Sequence, residues 1–276
     1  MLRHFPALVA GIALMAGSAL AQLPSNASLK GAYNFRYLGV DSTNYPTDKA
    51  LSFQGTVTFD GNGGFTVTGQ GAGATAATSG NTYSVQSSGT MYMANPFDSA
   101  GQAFLYGGVA ANGTIVASGT DTFFCDLFIA VPVGTSTSNS TLNGKYFIGS
   151  LDFLGGNFSQ TRDTFFTATA DGNGGFGSVT INGTAANLNN AAQSQTSAGA
   201  TYTVTANGTG TITFPAPSGL AAANQLLSGA KTLYAAPDGS FFIAGGASSY
   251  DMIIGVKAAT GSAVGLANGL YFNSYL

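Results

Sequence analysis

The feature that most constrains the fold of this chain is an internal sequence repeat. Residues 59–65 (FDGNGGF) return as residues 170–176 (ADGNGGF), and residues 126–131 (DLFIAV) return as residues 251–256 (DMIIGV). The spacing of about 110 to 125 residues is too long for a solenoid repeat and matches one small domain. The chain is therefore expected to fold as two tandem copies of one unit.

Residues 1–21 have the three parts of a secretory signal peptide. Arg3 and His4 give a positive start, residues 5–16 are apolar, and residues 19–21 (ALA) form a small-x-small cleavage site. The apolar stretch is too short for a transmembrane helix, and no cysteine lies nearby to carry a lipid. The sequence predicts export to the periplasm, the cell surface or the medium, with a mature chain that starts at Gln22.

The mature chain lacks the residues that most often carry catalysis. His4 is the only histidine and leaves with the signal peptide, and all eleven acidic residues are aspartates. Serine–histidine and cysteine–histidine nucleophile pairs and histidine-ligated zinc are therefore excluded. We expect no enzyme and no cofactor. Cys125 is the only cysteine, so no intrachain disulfide can form, and its apolar surroundings predict a buried, inert thiol.

Charge is scarce along the whole chain. Charged residues make up 7% of it, and seven basic residues remain against eleven aspartates once Arg3 is removed, a net charge of −4. Without a basic stripe, nucleic acid is excluded as a partner. An aromatic content of 12% is too high for a disordered tract. Thr, Ser, Asn and Gly supply the polarity, as on the exposed face of a β-sheet.

The hydrophobic pattern has a period of two and predicts strands joined by tight turns. In residues 51–59 (LSFQGTVTF) the odd positions are apolar or Gly and the even ones polar, and the DGNG turn follows. The only weak helical candidate is residues 220–227. Eight strands are predicted in the first unit, and the second repeats them from 144–154 to 250–257. The eight lie near residues 31–39, 50–59, 65–71, 81–87, 90–94, 102–110, 114–119 and 122–131.

Eight short sequential strands predict an all-β fold of two antiparallel, up-and-down, calycin-like barrels, with two β-sandwiches as the alternative. The first unit is expected at residues 22–134 and the second at 141–260. Residues 266–276 resemble the first strand of the second unit. They are expected either to close that unit or to begin a third unit of a longer protein.

The shared motifs also carry a resemblance. The chain has L-x-G-x-Y, then T-x-D-G-N-G-G-F, then T-Y-x-V with a following G-T, in both copies. This pattern resembles uncharacterised exported all-β repeat proteins of environmental bacteria. The resemblance implies a fold and no activity, and it brings no catalytic residue with it. It favours the interpretation of residues 266–276 as the start of a further unit.

Three sets of residues are candidates for a site. The DGNGG segments at 60–64 and 171–175 could wrap Ca²⁺, but they lack further carboxylates, and hairpin turns need the same Gly and Asn. We therefore expect turns and no metal. Asp126 and Asp251 each open an apolar strand, where a carboxylate needs partners. Paired-aspartate catalysis is conceivable, but the two lie in separate copies, so we expect them to hold backbone amides or a Lys or Arg.

The repeated tyrosines are the third set. Tyr33 and Tyr146 occupy the same place in the two copies, as do Tyr83 with Tyr202 and Tyr106 with Tyr234. They could line a ligand cavity, but aromatic residues along strands more often belong to the core with the hydroxyl at the rim. The absence of tryptophan also weakens a sugar-stacking platform.

Three function classes remain. The first is an exported non-catalytic module with a structural or interaction role toward a cell-surface partner. The second is a barrel that carries a small apolar ligand. The third is an outer-membrane barrel, although several predicted strands are short for a membrane crossing.

Overall fold

The computed structural model describes residues 23–41, 49–76, 81–98, 101–120 and 124–260. Across these residues the chain forms sixteen strands joined by turns and short 3-10 helices, so the all-β prediction is confirmed. The signal peptide at 1–21 and the strand expected at 266–276 lie outside the described residues. Residues 220–227, the helical candidate, contain only the three-residue 3-10 helix Ala222–Asn224.

The first unit is a curled eight-stranded antiparallel sheet in the order β3-β2-β1-β8-β7-β6-β5-β4. Among the described residues, the two ends of this sheet are joined by one bridge, between Gly64 and Thr82, which lie just before β3 and β4. The described part of the unit is therefore barrel-like but open between β3 and β4. Its strands are β1 (Lys30–Asp41), β2 (Ala50–Asp60), β3 (Phe65–Ala72), β4 (Tyr83–Val85), β5 (Thr90–Ala94), β6 (Phe104–Val109), β7 (Ile115–Gly119) and β8 (Phe124–Pro132).

The second unit is a closed barrel in which each strand pairs with its neighbours in sequence and the last pairs with the first. Closure leaves no strand edge exposed. The up-and-down barrel predicted for this unit is therefore confirmed, and the alternative of a β-sandwich is wrong. Its strands are β9 (Asn143–Phe153), β10 (Thr161–Asp171), β11 (Gly175–Ala185), β12 (Gln193–Val204), β13 (Thr209–Phe214), β14 (Gly229–Ala235), β15 (Phe241–Gly245) and β16 (Asp251–Lys257).

The DGNGG segments are equivalent hairpin turns, between β2 and β3 and between β10 and β11. In the first, Asp60 Oδ1 accepts hydrogen bonds from the amides of Asn62 (2.7 Å) and Gly64 (2.9 Å). Asp171 accepts the corresponding bonds at the same two distances. These amide bonds lower the pKa of both carboxyl groups. In each copy the loop closes on its own aspartate.

Each unit has its own apolar core inside the barrel. Alternation is cleanest in β10, whose even-numbered residues from Arg162 to Ala170 are buried and whose odd-numbered residues face solvent. The inward residues of the second unit include Tyr146, Ile148 and Phe166. Because these large side chains fill the barrel below its rim, the interior is packed.

A third apolar cluster joins the two units. It forms where the outer faces of β1 and β8 meet those of β14, β15 and β16, with Phe153 and the buried Tyr234 on the second unit's side. Its buried members are Leu38, Ala50, Ile129, Val131, Phe153, Tyr234, Ala236, Ile243 and Met252. Around it, Ser52 donates to Ser249 O (2.7 Å), and Gln54 Nε2 to Thr232 Oγ1 (3.0 Å). The units therefore share an extensive buried interface.

Cys125 corrects one prediction. Its side chain is exposed, not buried. The reason is the alternation of β8: Asp126 and Phe128 point into the first unit, so Cys125 must point out.

Candidate functional site

The register of the second barrel places three charged residues on one inward-facing rung at its rim. Asp152 on β9 lies opposite Arg162 on β10 and opposite Asp251 on β16. Directly paired residues on neighbouring strands point to the same face. Lys231, two residues before the core residue Leu233 on β14, also points inward. Four ionisable side chains thus converge at one end of the barrel.

Asp251 is the centre of this group and is almost fully buried. Its Oδ2 accepts from the Lys231 ammonium at 2.6 Å. Its Oδ1 accepts from the Arg36 guanidinium at 2.7 Å and from the Gly246 amide at 2.8 Å. A carboxylate removed from water requires such partners. Asp251 is therefore held by two cations and one backbone amide.

Arg36 reaches this rim from the first unit. It lies on the outer face of β1, is 0% exposed, and uses all five of its N–H groups. Nε donates to Asp251 O (2.8 Å), and the Nη atoms donate to four oxygens. These are Gln54 Oε1 (2.9 Å), Gly246 O (3.0 Å), Ser249 O (2.8 Å) and Asp251 Oδ1 (2.7 Å). One side chain thus ties the first unit to the rim of the second.

Glycine at position 245 makes room for that guanidinium. A Cβ added there would collide with Arg36 Nε and Cζ. The backbone at the end of β15 therefore packs directly against the Arg36 side chain, with no space for a larger residue at position 245.

Asp152 and Arg162 differ from Asp251 because their polar groups are not all used. Burial raises the pKa of Asp152 to about 6, and the Asp251 charge raises it too, while Lys231, Arg162 and Arg36 oppose the rise. Arg162 is 6% exposed; it donates from Nη2 to Ala223 O (2.7 Å), but its buried Nε has no hydrogen-bond partner among the described residues. This rim therefore holds a titratable acid beside an unused donor.

The same side chains line a cavity of about 380 Å³ in the barrel mouth. This volume is at the lower end of the range typical of small-molecule sites. The segment 222–228 contributes Ala222, Leu226, Leu227 and Ser228 to the lining. It is held in place by bonds from the Leu226 amide to Gln195 Oε1 (2.7 Å) and from Gln225 Nε2 to Leu220 O (2.9 Å). The lining includes Ser150, Leu154, Leu226, Leu227, Ser228 and Ser248.

The first unit carries a different set of residues at the equivalent rung. Its register pairs Leu51 with Gly39 and Gly39 with Asp126, where the second unit has Arg162, Asp152 and Asp251. Asp126 is fully buried and accepts from Tyr37 Oη (3.1 Å), Asn95 Nδ2 (3.3 Å) and the Gly119 amide. Neutral donors hold it in place of the two cations at Asp251.

The mouth of the first unit encloses about 560 Å³, and its described lining contains Asp41 and Asp98 but no lysine or arginine. The described lining of the first mouth is therefore acidic, whereas the lining of the second mouth contains two acids and two bases. Asp126 and Asp251 lie in separate mouths, and the carboxylate nearest to Asp251 in the register is Asp152.

Five of the six repeated tyrosines are buried, all except Tyr106. The hydroxyl groups of Tyr83, Tyr146 and Tyr202 donate to backbone carbonyls, while Tyr33 packs edge-on against Phe59 at 5.4 Å. Burial raises the pKa of Tyr146 to about 12. None of these rings lines the second mouth. Tyr106 is 48% exposed whereas its counterpart Tyr234 is buried, because only Tyr234 faces the other unit.

No known protein family and no curated protein matches this chain. Among the described residues, no cluster of three His, Cys, Asp or Glu side chains is placed to hold a metal ion. No helix in the described part of the chain is long and apolar enough to span a membrane.

Sequence reasoning found Asp251 but missed Arg36, Asp152, Arg162 and Lys231. A signal was present in the difference between the copies. When the copies are aligned, Asp152 and Arg162 stand where the first copy has Gly39 and Leu51. Two additional charged residues in one copy are conspicuous, because only 7% of the chain is charged.

Proposed function

We propose that this chain is an exported, non-catalytic module in which two barrel units act as one rigid body with a structural or interaction role at the cell surface or outside the cell. The observation that carries the proposal is Arg36. A guanidinium whose five donors are all bonded fixes the orientation of the two units as well as the distance between them, because its planar N–H groups point in fixed directions.

The apolar cluster between the units supports the same conclusion. Units joined only by a flexible linker would expose Leu38, Ile129 and Met252, all of which are at most 3% exposed. Large apolar surfaces of this kind resist separation in water because separating them exposes that area to solvent.

Scanning calorimetry tests the rigid body. One endotherm with equal calorimetric and van't Hoff enthalpies is expected for the mature chain, because the shared interface couples the two units. Two resolved endotherms would show that the units melt independently and would contradict the proposal.

Export is tested by fractionating bacteria that produce the full chain. We expect a processed protein that begins at Gln22 outside the cytoplasm. A variant without residues 5–16 should stay in the cytoplasm unprocessed. An unprocessed cytoplasmic product from the intact chain would refute this part.

A second candidate function is a ligand-holding barrel, and the charged 380 Å³ mouth of the second unit favours it. The ligand class expected from sequence, a small apolar molecule in the barrel interior, has little support because Tyr146, Phe166 and Phe214 fill that space. An outer-membrane barrel has less support, since the outward face of β10 carries Asp163, Thr167 and Thr169 beside a single aromatic residue, Phe165, instead of a continuous apolar band.

A further inference from the structure

The mouth of the second barrel carries an excess of positive charge in a confined space. The lining contains Arg162, Lys231, Asp152 and Asp251, and Arg36, which is bonded to Asp251 but is not part of the lining, brings the net charge of the group to +1 when both aspartates are ionised. Asp251 is already neutralised by Arg36 and Lys231. Asp152 offsets Arg162, so the excess charge lies in the Asp251 group, where two cations share one carboxylate. Lys231 is the cation of that group that lines the cavity, and the excess favours an anion.

Two donor groups are available to that anion. Arg162 Nε is buried and has no partner among the described residues, and the Arg162 side chain lines the cavity. Lys231 is 13% exposed; its ammonium has three N–H groups and donates one to Asp251. Unsatisfied buried donors are costly, and a carboxylate oxygen is the acceptor that best satisfies a guanidinium and an ammonium together.

The rest of the lining selects the body of the ligand. Ser150, Ser228 and Ser248 bring hydroxyl groups, while Leu226 and Leu227 bring short apolar surface. Asp152, facing the same space, would repel a dianion more strongly than a monoanion. We propose that the mouth of the second barrel binds a small monocarboxylic acid that carries hydroxyl groups, with its carboxylate on Arg162 and Lys231. This proposal rests on the second candidate function, the ligand-holding barrel.

Affinity should then depend on pH through Asp152. The charged groups that face Asp152 are Asp251 on β16, Lys231 on β14, Arg162 on β10 and Arg36 on β1. Protonation of Asp152 below about pH 6 raises the net charge of the mouth to +2 and turns the carboxyl into a donor. Binding should therefore strengthen as the pH falls from 8 to 5.

The test is isothermal titration of the mature chain with gluconate, glucose, octanoate and inorganic phosphate as probes. Gluconate should bind with a dissociation constant of about 1 mM, the value expected for a ligand of its size at ordinary efficiency. Binding should be at least tenfold tighter than for the other three probes. NMR shifts caused by gluconate should map to residues 220–228 and 248–251.

Variants assign the carboxylate contact. Arg162→Gln should weaken gluconate binding at least tenfold, and Asp152→Asn should remove the dependence on pH. Lys145→Gln is the matched control, because it deletes a cation from the outer face of the same barrel, and binding should stay within twofold. Amide spectra of each variant establish that it is folded.

The outcomes separate the ligand class from the broader function. If glucose or phosphate binds at the mouth as tightly as gluconate, the proposal that the ligand is a carboxylate is wrong. The second candidate function, a ligand-holding barrel, would still be supported. Unchanged gluconate affinity in folded Arg162→Gln would overturn the assigned contact. Absence of any shift at the mouth with all four probes would overturn both the proposal and the candidate function beneath it.

Discussion

Replacing Arg36 with methionine removes the charge while keeping much of the apolar stem. Asp251 would retain only Lys231 and the Gly246 amide, and Gln54 Oε1 would lose the donor that Arg36 provides. Removing one partner of a buried ion pair typically costs about 3–5 kcal/mol. Because Asp251 keeps Lys231 as a second cation, we expect a loss near the lower end of that range. Since a domain's whole stability is roughly 5–15 kcal/mol, we expect Arg36→Met to cost a large share of it.

Urea unfolding followed by tyrosine fluorescence and circular dichroism measures this loss. Arg36→Lys should lose less, since it keeps the charge but has three donors in place of five. Lys30→Met is the matched control on the same strand: Lys30 is exposed, and its loss should change stability by no more than about 0.5 kcal/mol. A loss below about 1 kcal/mol for Arg36→Met would refute the view that Arg36 fixes the two units together.

Three further predictions concern single sites. Asp152→Asn should stabilise the protein by up to about 3 kcal/mol at pH 8 and leave its stability unchanged near pH 3.5. The reason is that a carboxyl pKa raised from 3.8 to about 6 destabilises the fold only at a pH where the group is ionised. Urea midpoints across pH measure this, and equal effects at both pH values would contradict it. Gly245→Ala should lower the free energy of unfolding by about 1–3 kcal/mol in the same assay, since the added Cβ would collide with the Arg36 guanidinium. An unchanged free energy would show that the residues around Arg36 are not tightly packed. Thermal melts with calcium and with chelator should overlay, because Asp60 and Asp171 close their own loops, and a rise in midpoint with calcium would argue for a bound ion.

Much of the fold could be predicted from local patterns. Period-two alternation and the DGNGG turns located the strands to within a few residues, since both depend on neighbours in sequence. The open seam between β3 and β4 could not be predicted, because closure depends on the length of the strands that meet there. Cys125 was misplaced because the segment around it is apolar on both faces.

The same two-faced apolar strands explain what was missed at the site. In β8 and β16 the inward residues fill a barrel, while the outward residues, such as Ile129 and Met252, meet the other unit. Sequence alone shows both faces apolar but does not say what covers the outer one. Arg36 and Asp251 are 215 residues apart in sequence, so no local pattern links them.

The central claim, that the two barrels form one rigid body, is tested most directly by a distance between them in solution. Spin labels at Thr66→Cys on β3 and Thr180→Cys on β11, both exposed sites, can be introduced after the exposed native thiol is removed by Cys125→Ser. Double electron–electron resonance on this protein should give a single narrow distance distribution, because the Arg36 contacts and the apolar cluster fix the units. A broad distribution would contradict the claim, since it would show that the two units move independently.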